Sequence, residues 1–372
     1  MADIPRDAPK RQPKLLSFEV FWRDHQLWLE EQGYMLRPRY KPDWKPAWNM
    51  EDSAYMKCED HLPAGHRFVL DATRISDGRT VALKHIVADY HNPQEIPINE
   101  YFSSAPLASD PRNHCVPLYD VLKVPDTEWD YILVYPYLCP ADYPMFSTIG
   151  EAVEFFRQLI EGVQFMHHHD VAHRDIMMLN TMMDPAPVFA EPIHLVVPTF
   201  TLDIRRRSKF FTRTVKPTRY YLIDFGLSRR YSENNLHPLE PPIPGGDRTV
   251  PEFQPPNLYK LRNPFCTDIY YLGNMFRTNF LQTMHGFSFM NKLVEDMVQN
   301  DPNKRPTIDE VADKFDKIRQ SLSGWKLRSR SSPINESIFR QVSESIRHLY
   351  TTSVYIHNHL DAIPRPPDDL GL

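Results

Sequence analysis

From Ser17 onward, Phe18, Phe21, Trp22, Trp28 and Leu29 recur at helical spacing, and Gly33 is placed to stop the helix they predict. The next segment, Arg37-Pro38-Arg39-Tyr40-Lys41-Pro42-Asp43-Trp44-Lys45-Pro46-Ala47-Trp48, carries a proline at every fourth position. That spacing predicts an extended, polyproline-like strap that lays its tryptophans on a neighbouring surface. The period then changes. Short β-branched and aromatic runs at residues 67–72, 80–85, 116–122 and 131–138 predict strands, with Asp77-Gly78 as a hairpin turn between the first two. From residue 148 the pattern is helical again. Thr148-Ile149-Gly150-Glu151 has the form of a capping box, and the helix it opens carries an apolar face of Ala152, Phe155, Phe156, Leu159, Ile160, Val163 and Met166.

A small sheet-rich region followed by a larger helical one predicts two lobes, joined near residues 138–142. The chain has 372 residues, 41% of them hydrophobic, enough to bury a sizeable core. Its formal charge of −5, from 43 basic and 48 acidic residues, argues against a protein that coats nucleic acid. Thirty-five prolines against twelve glycines predict rigid connections and leave little material for a glycine-rich phosphate loop. Cys58, Cys115, Cys139 and Cys266 lie far apart with no CxxC pair, as expected of reduced thiols in a cytoplasmic or nuclear protein. Residues 1–14 lack an apolar core, so no signal peptide is expected, and the most apolar stretch, 131–140, is too short and proline-broken to span a membrane.

The chemistry-bearing residues fall in the second half. His173-Arg174-Asp175 is followed by Asn180, then by Asp224-Phe225-Gly226, and Val81-Ala82-Leu83-Lys84 lies upstream on a predicted strand. Further on come Val250-Pro251-Glu252, Asp268-Ile269-Tyr270-Tyr271-Leu272-Gly273 and Asp301-Pro302-Asn303-Lys304-Arg305-Pro306-Thr307. A lone DFG tripeptide is a weak signal, but this ordered set resembles the eukaryotic protein kinase superfamily over residues 60–320. The resemblance is to a divergent serine/threonine-type kinase-like protein, active or a pseudokinase.

The resemblance implies an α+β, bilobal fold: a small β-rich N-lobe (52–138), a larger helical C-lobe (139–322) and a basic insert (183–219) between catalytic loop and DFG. Residues 1–51 would be an N-terminal extension and 323–372 a C-terminal tail, with a short helix at 336–350 and disorder at 364–367. The family's cofactors are ATP and Mg²⁺. By the same resemblance, Lys84 would hold the α- and β-phosphates and Asp224 and Asn180 would ligate metal. Asp175 would accept the proton of a substrate hydroxyl. Glu100 is the expected carboxylate partner of Lys84, with Glu95 as the alternative. Val69, Ala82 and Met182 would sandwich adenine, and Tyr135 and Tyr137 fall on the hinge. Glu252 and Arg305 would form a buried ion pair, a structural role.

Three departures bear on activity. The glycine-loop positions become Leu62, Ala64 and Arg67, with Gly65 out of place. Met177 replaces the lysine two residues after the catalytic aspartate, and Gly245 replaces a threonine before Glu252. Removing one donor that stabilises transition-state charge costs roughly 10²–10³ in rate. The insert contains an expected hairpin, an apolar run at 194–204 followed by a basic stretch to 219, with seven basic residues between positions 205 and 219 and no acid. That run is read as a solvated face, as a dock for an acidic or phosphorylated partner, or as a source of charge replacing the missing lysine through Lys216 or Arg219. Specific nucleic-acid binding is not expected. Arg174 could bind a phosphate on Ser228, Tyr231 or Ser232. The functions carried forward are a slow Ser/Thr protein kinase acting on a protein substrate and, as the alternative, a pseudokinase scaffold.

Overall fold

A computed structural model of the chain describes residues 14–46, 58–88, 94–232, 235, 238–243, 246–257 and 260–367. All four expected strands form, with shifted ends: β2 (Val69–Arg74), β3 (Thr80–Val87), β4 (Asp120–Lys123) and β5 (Asp130–Pro136). A strand not expected from sequence, β1 (Tyr34–Leu36), completes an antiparallel five-stranded sheet in the order β1-β2-β3-β5-β4. β1 pairs Tyr34 with Arg74 and Leu36 with Ala72. The predicted first helix is broken at His25 into α1 (Val20–Asp24) and α2 (Gln26–Glu31). Together they place Trp22 and Leu29, both fully buried, in one core with Tyr34, Leu70, Val81, Leu83 and Ile132. The described part of residues 1–51 is therefore integral to the sheet, because β1 supplies hydrogen bonds that β2 would otherwise leave open.

The proline-spaced strap is not extended throughout. Pro38–Tyr40 makes one helical turn, and its arginines point inward. Glu19, fully buried, accepts from Arg39 Nε at 3.1 Å and Nη2 at 3.0 Å, from Tyr40 Oη at 2.9 Å and from the Ala64 amide at 3.0 Å. Arg37 meets Glu59 at 2.6 Å and Asp71 at 3.2 Å. Charges this deep are tolerable because each is paired and hydrogen-bonded. Burial works against the Glu19 carboxylate, yet bonding to Arg39 holds its pKa below the ordinary value. Trp44 lies under the Arg39 guanidinium, 5.1 Å from carbon to ring centre, whereas Trp48 falls outside the described residues.

The second, larger core is helical. Its centre is α4 (Ile149–His168), packed by α5 (Pro264–Phe276), α6 (Asn291–Met297) and α7 (Ile308–Ser321). The expected cap is half-formed: Thr148 Oγ1 accepts from the Glu151 amide at 3.1 Å, but the Glu151 carboxylate goes to the Ser147 amide and to Thr214. A three-stranded sheet of β6 (Cys139–Pro140), β8 (Thr181–Met183) and β9 (Tyr220–Leu222) lies beside it, and β7 (Val171–Ala172) pairs with β10 (Arg229–Arg230). Between β8 and β9 the insert forms isolated bridges, Ile193 to Thr201 and Phe200 to Arg207, rather than a regular hairpin.

The C-terminal segment departs from expectation. After the two-residue strands β11 (Met284–His285) and β12 (Ser332–Pro333) and the short α8 (Gly324–Arg328), α9 runs from Ile338 to His357, seven residues past the expected end. The tail at 364–367 is described, with Pro364 buried and Ala362 and Ile363 packed on the larger core. The architecture is thus mixed α+β, an antiparallel sheet followed by a helical region. Among the described residues, no helix is long and apolar enough to cross a membrane.

Candidate functional site

Alternation along β3 sets the first half of the site. Val81 and Leu83 point into the sheet core, so Ala82 and Lys84 must share the opposite, half-buried face. Cross-strand register puts Val69 opposite Lys84 and Tyr135 opposite Ala82, bringing four sequence-selected residues to one face. Met182 sits on β8, half-buried against the larger core, and Tyr137 donates to the Ile193 carbonyl of the insert at 2.9 Å. Burial lifts the Tyr135 hydroxyl far above its ordinary pKa, so it stays neutral.

Lys84 Nζ lies 2.5 Å from Glu95 Oε1 and 2.7 Å from Asp224 Oδ1. This corrects the expected partner: Glu95, at the start of α3 (Glu95–Ser103), makes the ion pair, while Glu100 is exposed. Five residues along a helix rotate the side chain by about 140°, so the two glutamates cannot face the same lysine. Burial opposes the Lys84 charge, but Glu95 and Asp224 hold its pKa above the usual lysine value. Burial lifts the Glu95 carboxyl above its ordinary range, which Lys84 offsets only in part. For Asp224, burial is outweighed by Lys84, and its carboxyl sits below the ordinary range. The Asp224 backbone is left-handed (φ 65°, ψ 74°), with the side chain accepting from the Gly226 amide at 3.4 Å.

The loop carrying Asp175 hangs on one buried carboxylate. Asp268, fully buried on α5, accepts from the His173 and Arg174 amides, both at 2.7 Å, and bonds His167 Nε2 at 3.0 Å. Beyond it, Asn180 Nδ2 donates to Asp175 Oδ2 at 2.8 Å and to the Asp175 carbonyl at 2.9 Å. Asp175 Oδ1 is buried without a partner among the described residues, and so is Tyr271 Oη. Both border Gly246: a Cβ there would stand 2.8 Å from Asp175 Oδ1 and 3.3 Å from Tyr271 Oη, and φ is +74°. Only glycine fits such an approach in that conformation. Gly245 lies outside the described residues. Burial, with repulsion from Asp224 and Asp268, lifts the Asp175 carboxyl above its ordinary pKa despite offsets from His173 and Asn180.

Around this centre the structure adds contacts that local sequence patterns do not show. Val196 of the insert lies 3.3 Å from where a Gly65 Cβ would be, and His194 Nε2 is 3.5 Å from Glu59. Burial opposes the Glu59 charge, but bonds from His194 and Arg37 keep its pKa low. The stretch expected to carry the glycine-loop positions Leu62, Ala64 and Arg67 is therefore held at Glu59 and beside Gly65, while Arg67 is exposed. The basic run is partly internal. Arg213 donates to the Pro144 and Ala141 carbonyls at 2.7 and 2.8 Å, and Arg219 to those of Pro111 and Asn113 at 2.7 and 3.0 Å. Arg219 is thereby committed away from Asp175, which removes it as a substitute for the missing lysine. Arg174 stands 3.7 Å from Glu240, and Ser228 is buried with its hydroxyl on the His173 carbonyl. Away from the centre, Arg305 and Glu252 form a two-pronged buried pair, both contacts 2.6 Å.

This geometry belongs with a measured likeness. The chain is distantly and partially similar to serine/threonine protein kinases. Serine/threonine-protein kinase pim-2 of Danio rerio is 26% identical over 137 residues, covering 32% of this chain and 44% of that protein. Serine/threonine-protein kinase CAK1 of Saccharomyces cerevisiae is 30% identical over 90 residues, covering 24% of this chain and 17% of that protein. The match thus spans less than half the length of either relative. No protein-family model matches the chain.

Proposed function

We propose that this chain is a two-lobed, ATP- and Mg²⁺-dependent protein kinase that phosphorylates serine or threonine hydroxyls slowly. The observation that carries the reading is Lys84 held between Glu95 and Asp224, with Asn180 bonded to Asp175 nearby. Phosphoryl transfer needs positioning and neutralisation of charge more than covalent help, and these side chains supply both. The donor set fits the metal: Asp224 presents carboxylate oxygen, and Asn180, its Nδ2 committed to Asp175, leaves its Oδ1 as a hard oxygen ligand. Mg²⁺ there would neutralise the phosphate charge. Lys84 would orient the α- and β-phosphates, and the unpartnered Oδ1 of Asp175 would take the proton of the substrate hydroxyl. Slowness follows from Met177, which brings no positive charge to the γ-phosphate.

A pseudokinase scaffold is the second reading, favoured by the replacement of the glycine-loop positions by Leu62, Ala64 and Arg67 and by the approach of Val196 to Gly65. In either case the exposed Arg205, Arg206, Arg207, Lys209 and Lys216 would suit an acidic or phosphorylated protein segment. The deciding experiment is titration with a non-hydrolysable ATP analogue, with and without Mg²⁺, followed by an autophosphorylation assay. Magnesium-dependent binding with turnover supports the kinase. Binding without turnover selects the scaffold, and neither binding nor turnover refutes the kinase reading.

A further inference from the structure

An unpartnered apolar surface among the described residues lies on α9. Phe339, Val342, Ile346, Leu349, Ser353 and Ile356 follow one another at spacings of three and four, the a/d repeat of a coiled-coil seam. The large members are exposed: Phe339 91%, Leu349 69%, Ile346 65% and Val342 56%. The opposite side of the helix holds it to the body. Tyr355 is buried, its Oη lies 2.6 Å from Thr212 Oγ1, and His348 Nε2 lies 2.8 Å from the Arg328 carbonyl. The seam therefore faces away from the rest of the described chain.

We propose that two copies of this chain dimerise through α9, the helices packed antiparallel. Antiparallel pairing about the helix centre sets Phe339 against Ile356, Val342 against Ser353 and Ile346 against Leu349, so the small serine is covered by a larger side chain. Parallel pairing would set Ser353 against itself and leave a gap in the seam. The flanking positions are Ile338, Ser343, Ser345, Tyr350, Thr352 and His357, with no acid, lysine or arginine among them. Foreign partners are ordinarily selected by charges at those positions, whereas a self-pair gains by having none to repel. The charged residues lie off the seam, on the far side of the helix: Arg340 shares Glu336 with Arg330, at 3.5 Å, and Arg347 stands 3.8 Å from Glu344. That also disfavours an anionic membrane as the occupant, which would call for free cations beside the apolar face. At roughly 100 Å² per large side chain, the pair buries on the order of 1,200 Å² with its flanks, the low end of specific interfaces, consistent with a dissociation constant in the micromolar range.

The inference does not depend on kinase activity. Sedimentation equilibrium of the full chain, from about 1 to 200 μM, should show a reversible monomer–dimer transition. Ile346→Asp should abolish it while leaving the melting temperature close to that of the parent and ATP-analogue binding as in the parent, since the side chain is 65% exposed. For the arrangement, an Ile346→Cys protein mixed with a Leu349→Cys protein should form a mixed disulfide on mild oxidation, with the parent chain as control for Cys58 and Cys266. A chain monomeric throughout that range, or a dimer indifferent to Ile346→Asp, overturns the proposal. So does a monomer that co-floats with phosphatidylserine vesicles. Preferential disulfide formation by Ile346→Cys with itself overturns the antiparallel pairing.

Discussion

Exchanging Glu95 and Glu100 in turn for glutamine separates the geometry of the site from its sequence spacing. Glu95→Gln keeps the size and an acceptor oxygen but removes the charge 2.5 Å from Lys84 Nζ. Lys84 is then left with Asp224 alone, 2.7 Å away, so its ammonium competes more strongly with metal for that carboxylate and is less well aimed at phosphate. A hydrogen bond to a charged group contributes about 1.5–3 kcal/mol. At 1.4 kcal/mol per factor of ten, that is roughly a 10- to 150-fold loss in Mg·ATP affinity or in kcat/KM. Stability should fall modestly rather than collapse, because the buried Lys84 ammonium loses one carboxylate but keeps Asp224. Glu100→Gln, on an exposed side of α3, should change binding less than about twofold. The assay is calorimetric titration of both variants with Mg·ATP, with thermal melts as control. Equal losses in the two variants, or an unaffected Glu95→Gln, would refute the reasoning.

Other perturbations test the surroundings. Arg305→Met strands the buried Glu252 carboxylate with only the Thr267 hydroxyl, and should cost about 3–5 kcal/mol in chemical denaturation, much of it recovered by adding Glu252→Gln. Asp175 binds its proton more tightly folded than unfolded, so its charge opposes folding once pH passes its native pKa. Asp175→Asn should therefore abolish turnover yet raise the melting temperature at neutral pH, the gain disappearing on acidification. With Asp175 intact, the acid limb of the kcat/KM profile should lie above the ordinary aspartate range. Gly246→Ala places a methyl 2.8 Å from Asp175 Oδ1 at φ +74° and should cost about 1–3 kcal/mol together with activity, read by melts and turnover.

What the sequence disclosed was local. The strand carrying Lys84, the Asp175–Asn180 loop and Asp224 announce themselves by residue type at fixed short spacing, whereas the Glu252–Arg305 pair, 53 residues apart, was implied only by the resemblance. The choice between Glu95 and Glu100 did not announce itself, because α3 is short and both residues precede the next strand at plausible distances. Helix phase decides, and phase is set by which face Ile98 and Phe102 bury. β1 was illegible for another reason: its partner β2 lies more than thirty residues away, and strand pairing at that range leaves no periodic trace. Arg213 and Arg219 were counted as surface charge, yet the loops at 111–113 and 141–144 present carbonyls that need donors, and these arginines provide them.

The clasp between the insert and segment 58–68 has a mechanical consequence. The sheet and helical regions are joined by the chain passing Tyr137 and by the Lys84–Asp224 pair, and residues 193–196 add a further attachment through His194–Glu59 and Val196–Gly65. Opening of the cleft therefore needs this latch to part as well as the ion pair. Nucleotide exchange would then be timed by release of that latch. Val196→Gly should speed release of a fluorescent ATP analogue in stopped flow; an unchanged off-rate would show that the latch carries no load.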